Sequence, residues 1–255
     1  MTVAPLILTY HGVDAGPPPL FVAPDLFAVH LTVLERAGAD VVTVATLASR
    51  LTAGTLRPGT VALSFDDGLA SVAEHAAPLL RRHGWPATAY CVAGYLGGAN
   101  DWPTQPAGVP RRPLLTGAAV ARLAAEGFEI GAHTMSHRPL GHLSGTALEE
   151  EIVGCGERLA AAAGVPITTF AAPYGDPPSG AARTLIAAAY AACCGTHMDI
   201  VAPPADVYAL PRIDAHYLRR PGLLQRLLHG ELSYLRLRRA GARVRRLGAR
   251  DFRRG

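Results

Sequence analysis

The chain has 255 residues, 49% hydrophobic and 17% charged, with 27 Gly and 21 Pro, which suits one large folded domain and excludes a disordered chain or a coiled coil. All 24 basic residues are arginine, which excludes a lysine Schiff base and the lysine of a phosphate-binding loop. No apolar run reaches the roughly 20 residues of a bilayer span, and Pro5-Leu6-Ile7-Leu8-Thr9-Tyr10 is short and lacks basic residues before it, so the sequence predicts a cytoplasmic protein without signal peptide or membrane span.

Taken in order, residues 5–11 read as a first strand and 24–38 as a helix with Phe27, Leu31 and Leu34 on one face. Strands follow at 41–44 and 60–65, then a helix over 72–83 stopped by Gly84. Residues 87–93 form a strand, and a Gly/Asn/Pro-rich loop runs from 94 to 113. Next come a helix over 116–126, a strand over 128–132 and a helix over 146–163, where Thr146-x-x-Glu149 fits a capping box. A strand over 168–172, a helix over 179–192, a strand before Gly195 and a strand over 208–213 complete the series. This alternation argues for parallel strands wrapped by helices, and a barrel suits the length. No repeat or linker interrupts it. The expected plan is a catalytic barrel over 1–218 and an Arg-rich helical extension over 219–255.

The net charge of +4 conceals a split along that boundary. Residues 1–218 carry 12 Arg against 18 Asp and Glu, a net of −6, whereas 219–255 carry 12 Arg against 2 acids, a net of +10. In the extension Pro221 suits the first position of a helix, and Leu223, Leu224, Leu227, Leu228, Leu232 and Leu235 recur at helical spacing. It reads either as a helix packed on the barrel that continues into a solvated tail, or as a basic amphipathic surface that meets anionic lipid. The acidic body and the scarcity of aromatics among the arginines speak against nucleic acid. The four cysteines, Cys91, Cys155, Cys193 and Cys194, include no Cys-x-x-Cys pair and read as buried reduced thiols.

Four segments carry candidate chemistry, each at the C-terminal end of an expected strand, where barrel active sites form. In Leu63-Ser64-Phe65-Asp66-Asp67-Gly68 a strand runs into two carboxylates and a glycine. Neighbouring side chains alternate faces along a strand, so both acids reach one site only where the chain turns, and Gly68 permits that turn. One could bind a cation while the other stays free as a base; alone, Asp-Asp-Gly is also an ordinary turn signal. In Glu129-Ile130-Gly131-Ala132-His133-Thr134-Met135-Ser136-His137, two imidazoles four residues apart can converge on a metal if the chain curls. Phe170-Ala171-Ala172-Pro173-Tyr174-Gly175 ends a strand in a turn whose N–H groups can face an oxyanion. Leu8-Thr9-Tyr10-His11-Gly12-Val13 closes the first strand with a single histidine.

Together these motifs resemble the polysaccharide deacetylase family, the NodB-homology domain also called carbohydrate esterase family 4, over residues 5–215. Tyr10-His11-Gly12-Val13, with Ala171 where an arginine commonly stands, is more similar to the poly-N-acetylglucosamine deacetylase branch. The resemblance implies a single distorted (β/α) barrel of the NodB type. It implies Asp67, His133 and His137 as ligands of a divalent metal, Zn2+ from the donor set with Co2+ or Ni2+ as alternatives. It implies Asp66 as general base and the Tyr174 backbone N–H as an oxyanion donor. The late Leu-x-His motif of most members has no match, since His216 and His229 stand in other contexts; the resemblance to the poly-N-acetylglucosamine deacetylase branch, where a histidine after the first strand is the general acid, implies His11 in that role. Arg212, in Leu210-Pro211-Arg212-Ile213-Asp214, is the candidate to hold the base in place of the arginine missing at 171. Asp101, Trp102 and Pro173 border the expected mouth as substrate-binding candidates, Trp102 with an aromatic face for a sugar ring.

The implied function is metal-dependent removal of N-acetyl groups from an amino sugar in a polysaccharide or its lipid-linked precursor. Placement in the cytoplasm, with the basic tail against the inner face of the membrane, favours the precursor. The alternatives are a same-fold amidohydrolase acting on a non-sugar C–N bond and a non-catalytic glycan-binding relic. Trp85, His30, His75, His83, His142 and His197 fall outside the constellation and read as packing or surface residues.

Overall fold

The structure, a computed structural model, describes residues 4–175, 180–220, 222–231 and 233. Its strands are β1 (Leu6–Tyr10), β2 (Gly12–Val13), β3 (Phe21–Val22), β4 (Asp40–Val42), β5 (Thr60–Phe65), β6 (Thr88–Cys91), β7 (Glu129–Ala132), β8 (Thr169–Ala171), β9 (Ala192–Cys194) and β10 (Ile213–Asp214). Its helices are α1 (Pro24–Arg36), α2 (Val44–Thr52), α3 (Ala77–Arg82), α4 (Gly117–Ala125), α5 (Gly145–Glu149), α6 (Cys155–Ala163), α7 (Gly180–Ala189) and α8 (Leu223–Leu228). Eight strands form one parallel sheet in the order β10-β1-β5-β6-β7-β8-β9, with β4 also paired to β5, while β2 and β3 pair separately. Leu210 bridges to Cys194 of β9, and three residues later Ile213 pairs with Leu8 of β1. One short segment therefore touches both edges of the sheet, which curls into the expected distorted (β/α) barrel.

Strand alternation sorts the apolar side chains into two cores. Leu6, Leu8, Leu63, Phe65, Ala89, Ile130, Phe170 and Cys193 face outward and pack under the helices, among them Phe27, Leu31 and Leu34 of α1. Ile7, Ala62, Tyr90, Ala171, Ala192 and Cys194 face inward and meet Val44, Leu47 and Ala48 of α2. α2 thus plugs the N-terminal end of the barrel and leaves the C-terminal end as the mouth. Gly131 also faces inward; a Cβ there would lie 2.4 Å from the Tyr90 ring, so glycine makes room for the largest side chain of that layer.

Several elements differ from the sequence reading. The strand expected over 41–44 stops at Val42, because Thr43 caps α2 by accepting a hydrogen bond from the Thr46 N–H at 3.2 Å. The helix expected over 72–83 opens with a wide π turn, Val72–Ala76, before α3. The helix expected over 146–163 is α5, a π turn at Glu150–Gly154, and α6; it starts at Gly145, so Thr146 lies inside it and forms no capping box. The strand expected over 208–213 is a helical turn, Val207–Ala209, followed by the two-residue β10; Pro211 lacks an N–H for a longer ladder. Leu224, Leu227 and Leu228 of α8 join the outer core, continuous with the barrel. Pro221, Leu232, Leu235 and the arginine-rich stretch lie outside the described residues, apart from Arg219, Arg220 and Arg226. The four cysteines are buried and free, and no described helix is long and apolar enough to cross a membrane.

Candidate active site

The inward register of each strand, continued past its end, delivers the site. The inward series Ala62, Ser64 of β5 extends to Asp66, Gly131 of β7 extends to His133, and Ile7, Thr9 of β1 extends to His11. Arg212 precedes β10 in the same register as Asp214. The interior turns polar on the way up: Thr9 and Ser64, both buried, hydrogen-bond to each other at 3.0 Å. Asp67 is out of register for the interior and reaches it by leaving the strand. Its φ is 72° and that of Gly68 is 71°. Among the described residues, four non-glycine residues have positive φ, Asp67, Thr134, His137 and Tyr174, and all four belong to these motifs. Each such position costs about 1–3 kcal/mol, which the surrounding contacts must outweigh.

Asp67, His133 and His137 are buried and bring three ligand atoms within 4.8 Å of one another. Asp67 Oδ1 lies 3.5 Å from His133 Nε2 and 3.3 Å from His137 Nε2. The donor chemistry tests whether a cation suits this place. His133 Nδ1 lies 2.7 Å from the Ala171 carbonyl, which only accepts, so Nδ1 carries a proton and Nε2, turned toward Asp67, is the ring nitrogen left to ligate a cation. Two imidazoles and a carboxylate converging in this way fit a divalent metal. Burial alone would raise the Asp67 pKa; the neighbouring His133 and His137, with the nearby His11, hold it well below the usual carboxylate range.

The loop that carries both histidines is fastened from inside. The His137 N–H donates to Thr134 Oγ1 at 2.9 Å. The Ser136 N–H donates to Glu151 Oε2 at 2.9 Å, and the Ser136 hydroxyl donates to the other oxygen of the same carboxylate. Glu151 is buried and sits on the π turn between α5 and α6, a distortion that recurs at functional sites. The sequence reading missed it: in Glu149-Glu150-Glu151 no pattern marks the third acid as the buried one.

Beside this cluster, Arg212 grips Asp66 with two hydrogen bonds, Nη1 to Oδ1 at 2.7 Å and Nη2 to Oδ2 at 2.8 Å. The Arg212 Nε–H donates to the Gly195 carbonyl at 2.8 Å, and the guanidinium stands 5.7 Å from the centre of the Tyr90 ring. Burial would raise the Asp66 pKa, but Arg212 holds it below the usual value. His11 is half-buried at the same mouth, and its Nδ1 is buried without a hydrogen-bond partner. Burial alone would lower the His11 pKa; Asp67, Asp214 and Asp66 together raise it above 6.5.

The substrate candidates fare differently. Trp102 is 2% exposed, so it offers no open face to a sugar ring; the ring is stacked on His137, with centroids 4.2 Å apart. The expectation is corrected because residues 94–113 fold down onto the site, burying the indole among Phe21, Leu69, Val92 and Leu114. Asp101 is exposed and paired with Arg111 at 2.8 Å. Pro173 is buried, whereas Tyr174 is 44% exposed, with its hydroxyl directed at Thr104 and His137.

Known structures share this architecture. The Streptococcus pyogenes deacetylase PplD, solved in complex with acetate, superposes with a TM-score of 0.71 at 22% identity, covering 84% of this chain and 93% of that one. IcaB from Ammonifex degensii gives 0.72 at 19% identity over 89% and 96% of the two chains. A de-N-acetylase from Aggregatibacter actinomycetemcomitans gives 0.66 at 20% identity over 82% and 93%. At these identities the likeness is one of fold. A search of curated proteins finds no match. The sequence profile of the polysaccharide deacetylase family matches residues 53–193, more than half of the chain, and spans the Asp-Asp, His-x-x-x-His and Pro-Tyr-Gly segments but neither His11 nor Arg212. The chain belongs to the polysaccharide deacetylase family.

Proposed function

We propose that this protein hydrolyses the acetamide of an N-acetylated amino sugar, in a polysaccharide or its lipid-linked precursor, to a free amine and acetate. The observation that carries this reading is the convergence of Asp67, His133 and His137 within 4.8 Å, directly beside a second carboxylate, Asp66, that an arginine holds. Asp67, His133 and His137 would hold a divalent metal, with zinc fitting a His/His/carboxylate set. Such a cation supplies positive charge for the acetyl carbonyl oxygen and acidifies water.

The protein's own groups then divide the proton work. Asp66 has little basicity with Arg212 on both oxygens, but each oxygen keeps a free lone pair, and it accepts the proton of the attacking water. The Tyr174 N–H donates to the carbonyl oxygen as negative charge develops there. A C–O bond forms, the C–N bond breaks, and His11 gives its proton to the departing sugar nitrogen. Retention of both carboxylates, both histidines and the arginine supports catalysis over a glycan-binding relic.

We also propose that the net +10 of residues 219–255 places the enzyme against anionic lipid on the cytoplasmic face of a membrane, where a lipid-linked acceptor would be presented. Full-length protein should co-sediment with phosphatidylserine vesicles and be released by salt; equal binding to neutral vesicles would contradict this.

The catalytic reading is tested by stripping metal, restoring zinc, cobalt or nickel, and measuring acetate released from N-acetylglucosamine oligomers. Metal-dependent release that is lost in Asp66→Asn supports it. Release that survives both chelation and Asp66→Asn overturns it.

A further inference from the structure

The two histidines at the site are oriented by different means. His133 Nδ1 is served by a backbone carbonyl, Ala171, at 2.7 Å. His137 Nδ1 is served by one side chain, the Tyr174 hydroxyl, at 3.2 Å. Proton accounting fixes what that hydroxyl does. It lies 3.1 Å from the Thr104 carbonyl, which has only lone pairs, so its single proton is donated there. Toward His137 the phenolic oxygen can then only accept. His137 Nδ1 must carry the proton, and Nε2, 3.3 Å from Asp67 Oδ1, is left with the lone pair.

We propose that Tyr174 acts through its hydroxyl as a positioning residue, locking His137 in the Nδ1–H form and at the ring angle that lets Nε2 ligate a divalent metal. The assignment rests on the metal reading given above. It is separate from the oxyanion role of the Tyr174 backbone N–H, which makes no use of the side chain.

Three further contacts support it. The Tyr174 and His137 rings meet edge to face, with centroids 5.0 Å apart and planes at 72°. Trp102 stacks on His137 at 4.2 Å and 25°. The Thr104 hydroxyl donates to the His137 carbonyl at 3.0 Å. Residues 102–104 therefore hold His137 at a ring face, at its carbonyl and, through Tyr174, at a ring nitrogen. Tyr174 itself is held at φ 60°, a strained position for a tyrosine, although it is 44% exposed. An exposed side chain kept in such a conformation, with both hydroxyl interactions satisfied, is doing more than filling space. The arrangement makes metal affinity depend on how residues 94–113 sit on the barrel.

The test uses the full chain and two readouts. Zinc affinity is measured by competition with a chromophoric chelator, and ring 15N shifts report the His137 tautomer in the zinc-free protein. Tyr174→Phe keeps the ring and removes only the hydroxyl. It should weaken zinc binding about 10–100-fold and release His137 from the pure Nδ1–H form. Thr104→Ala loosens the same loop but keeps the carbonyl relay, so it should retain the tautomer. His137→Ala is the reference for loss of a ligand. Wild-type affinity in Tyr174→Phe, with His137→Ala clearly weakened, would overturn the relay and leave the metal site standing. An Nε2–H tautomer at His137 in the wild type would overturn it without any variant. Failure of the wild type to bind zinc at all would remove the metal reading and the relay with it.

Discussion

The two ends of the barrel each hold a carboxylate inside the sheet, and they are finished in opposite ways. At the plugged end Glu129 accepts hydrogen bonds from the Thr88 hydroxyl at 2.7 Å, from the Thr169 hydroxyl and from the Ala45 N–H at 2.9 Å, in the first turn of α2. Those partners are neutral donors, and the helix N-terminus favours the negative charge. At the open end Asp67 faces two imidazole nitrogens, one of them the Nε2 of a ring whose Nδ1 proton is taken up by the Ala171 carbonyl. Glu129 needs nothing further, whereas Asp67 calls for a cation. The backbone follows the same division: each described non-glycine residue with positive φ lies at the open end. A carboxylate closed off by donors is structural, and one converging with other lone pairs in strained backbone is chemical.

The sharpest way to break this comparison is at Asp66. Asp66→Asn should keep the fold and metal binding yet lose about 10²–10⁴-fold in acetate release, measured with the metal site loaded. Near-normal turnover would show that the open end uses another base. Removing the cation that holds Asp66 should instead cost stability. Arg212→Met leaves a buried carboxylate unpaired, and such losses run to about 3–5 kcal/mol, read from denaturant unfolding at neutral pH. At the plugged end, Glu129→Gln sets an amide N–H₂ against hydroxyl and amide donors and should cost about 1–3 kcal/mol. Its zinc stoichiometry should not change; a change would mean that the two ends are not independent.

The smallest expected effect lies between the ends, at His30. The Tyr10 hydroxyl donates to its Nδ1 at 3.0 Å, and its Nε2–H donates to the Leu218 carbonyl at 3.3 Å, tying β1 and α1 to the chain before α8. Burial lowers the His30 pKa below 6.5 despite the Leu218 bond. The unfolded chain therefore binds the proton first as pH falls. Stability from this group is present above pH 6.5 and is lost as pH falls toward the lowered folded value. Unfolding free energies in that window should depend on pH less in His30→Gln than in the wild type.

Much of this was legible in the sequence because it is local. Strand period, Gly stops and the position of each motif at a strand end are short-range signals. The strand over 60–65 and the helix face Phe27, Leu31, Leu34 are where the pattern puts them. α2 was hidden because β-branched residues run through its cap, Val41-Val42-Thr43-Val44, so strand and helix start share one composition. The π turns have no sequence period of their own, which concealed Glu151. Trp102 was misplaced because composition marks a loop without saying whether it folds back on the site. The Asp66–Arg212 contact joins residues 146 positions apart; it was approachable because both stand at the ends of strands expected from the sequence, although Arg212 in fact precedes the short β10.

The central claim is that the open end, and not the plugged end, holds a divalent metal. The most direct measurement is an anomalous-difference map at the zinc edge from crystals of zinc-loaded protein. One strong peak within about 2.0–2.2 Å of Asp67, His133 and His137, with none near Glu129, is the predicted result. No peak between these three residues, with zinc bound elsewhere or not at all, would contradict the account.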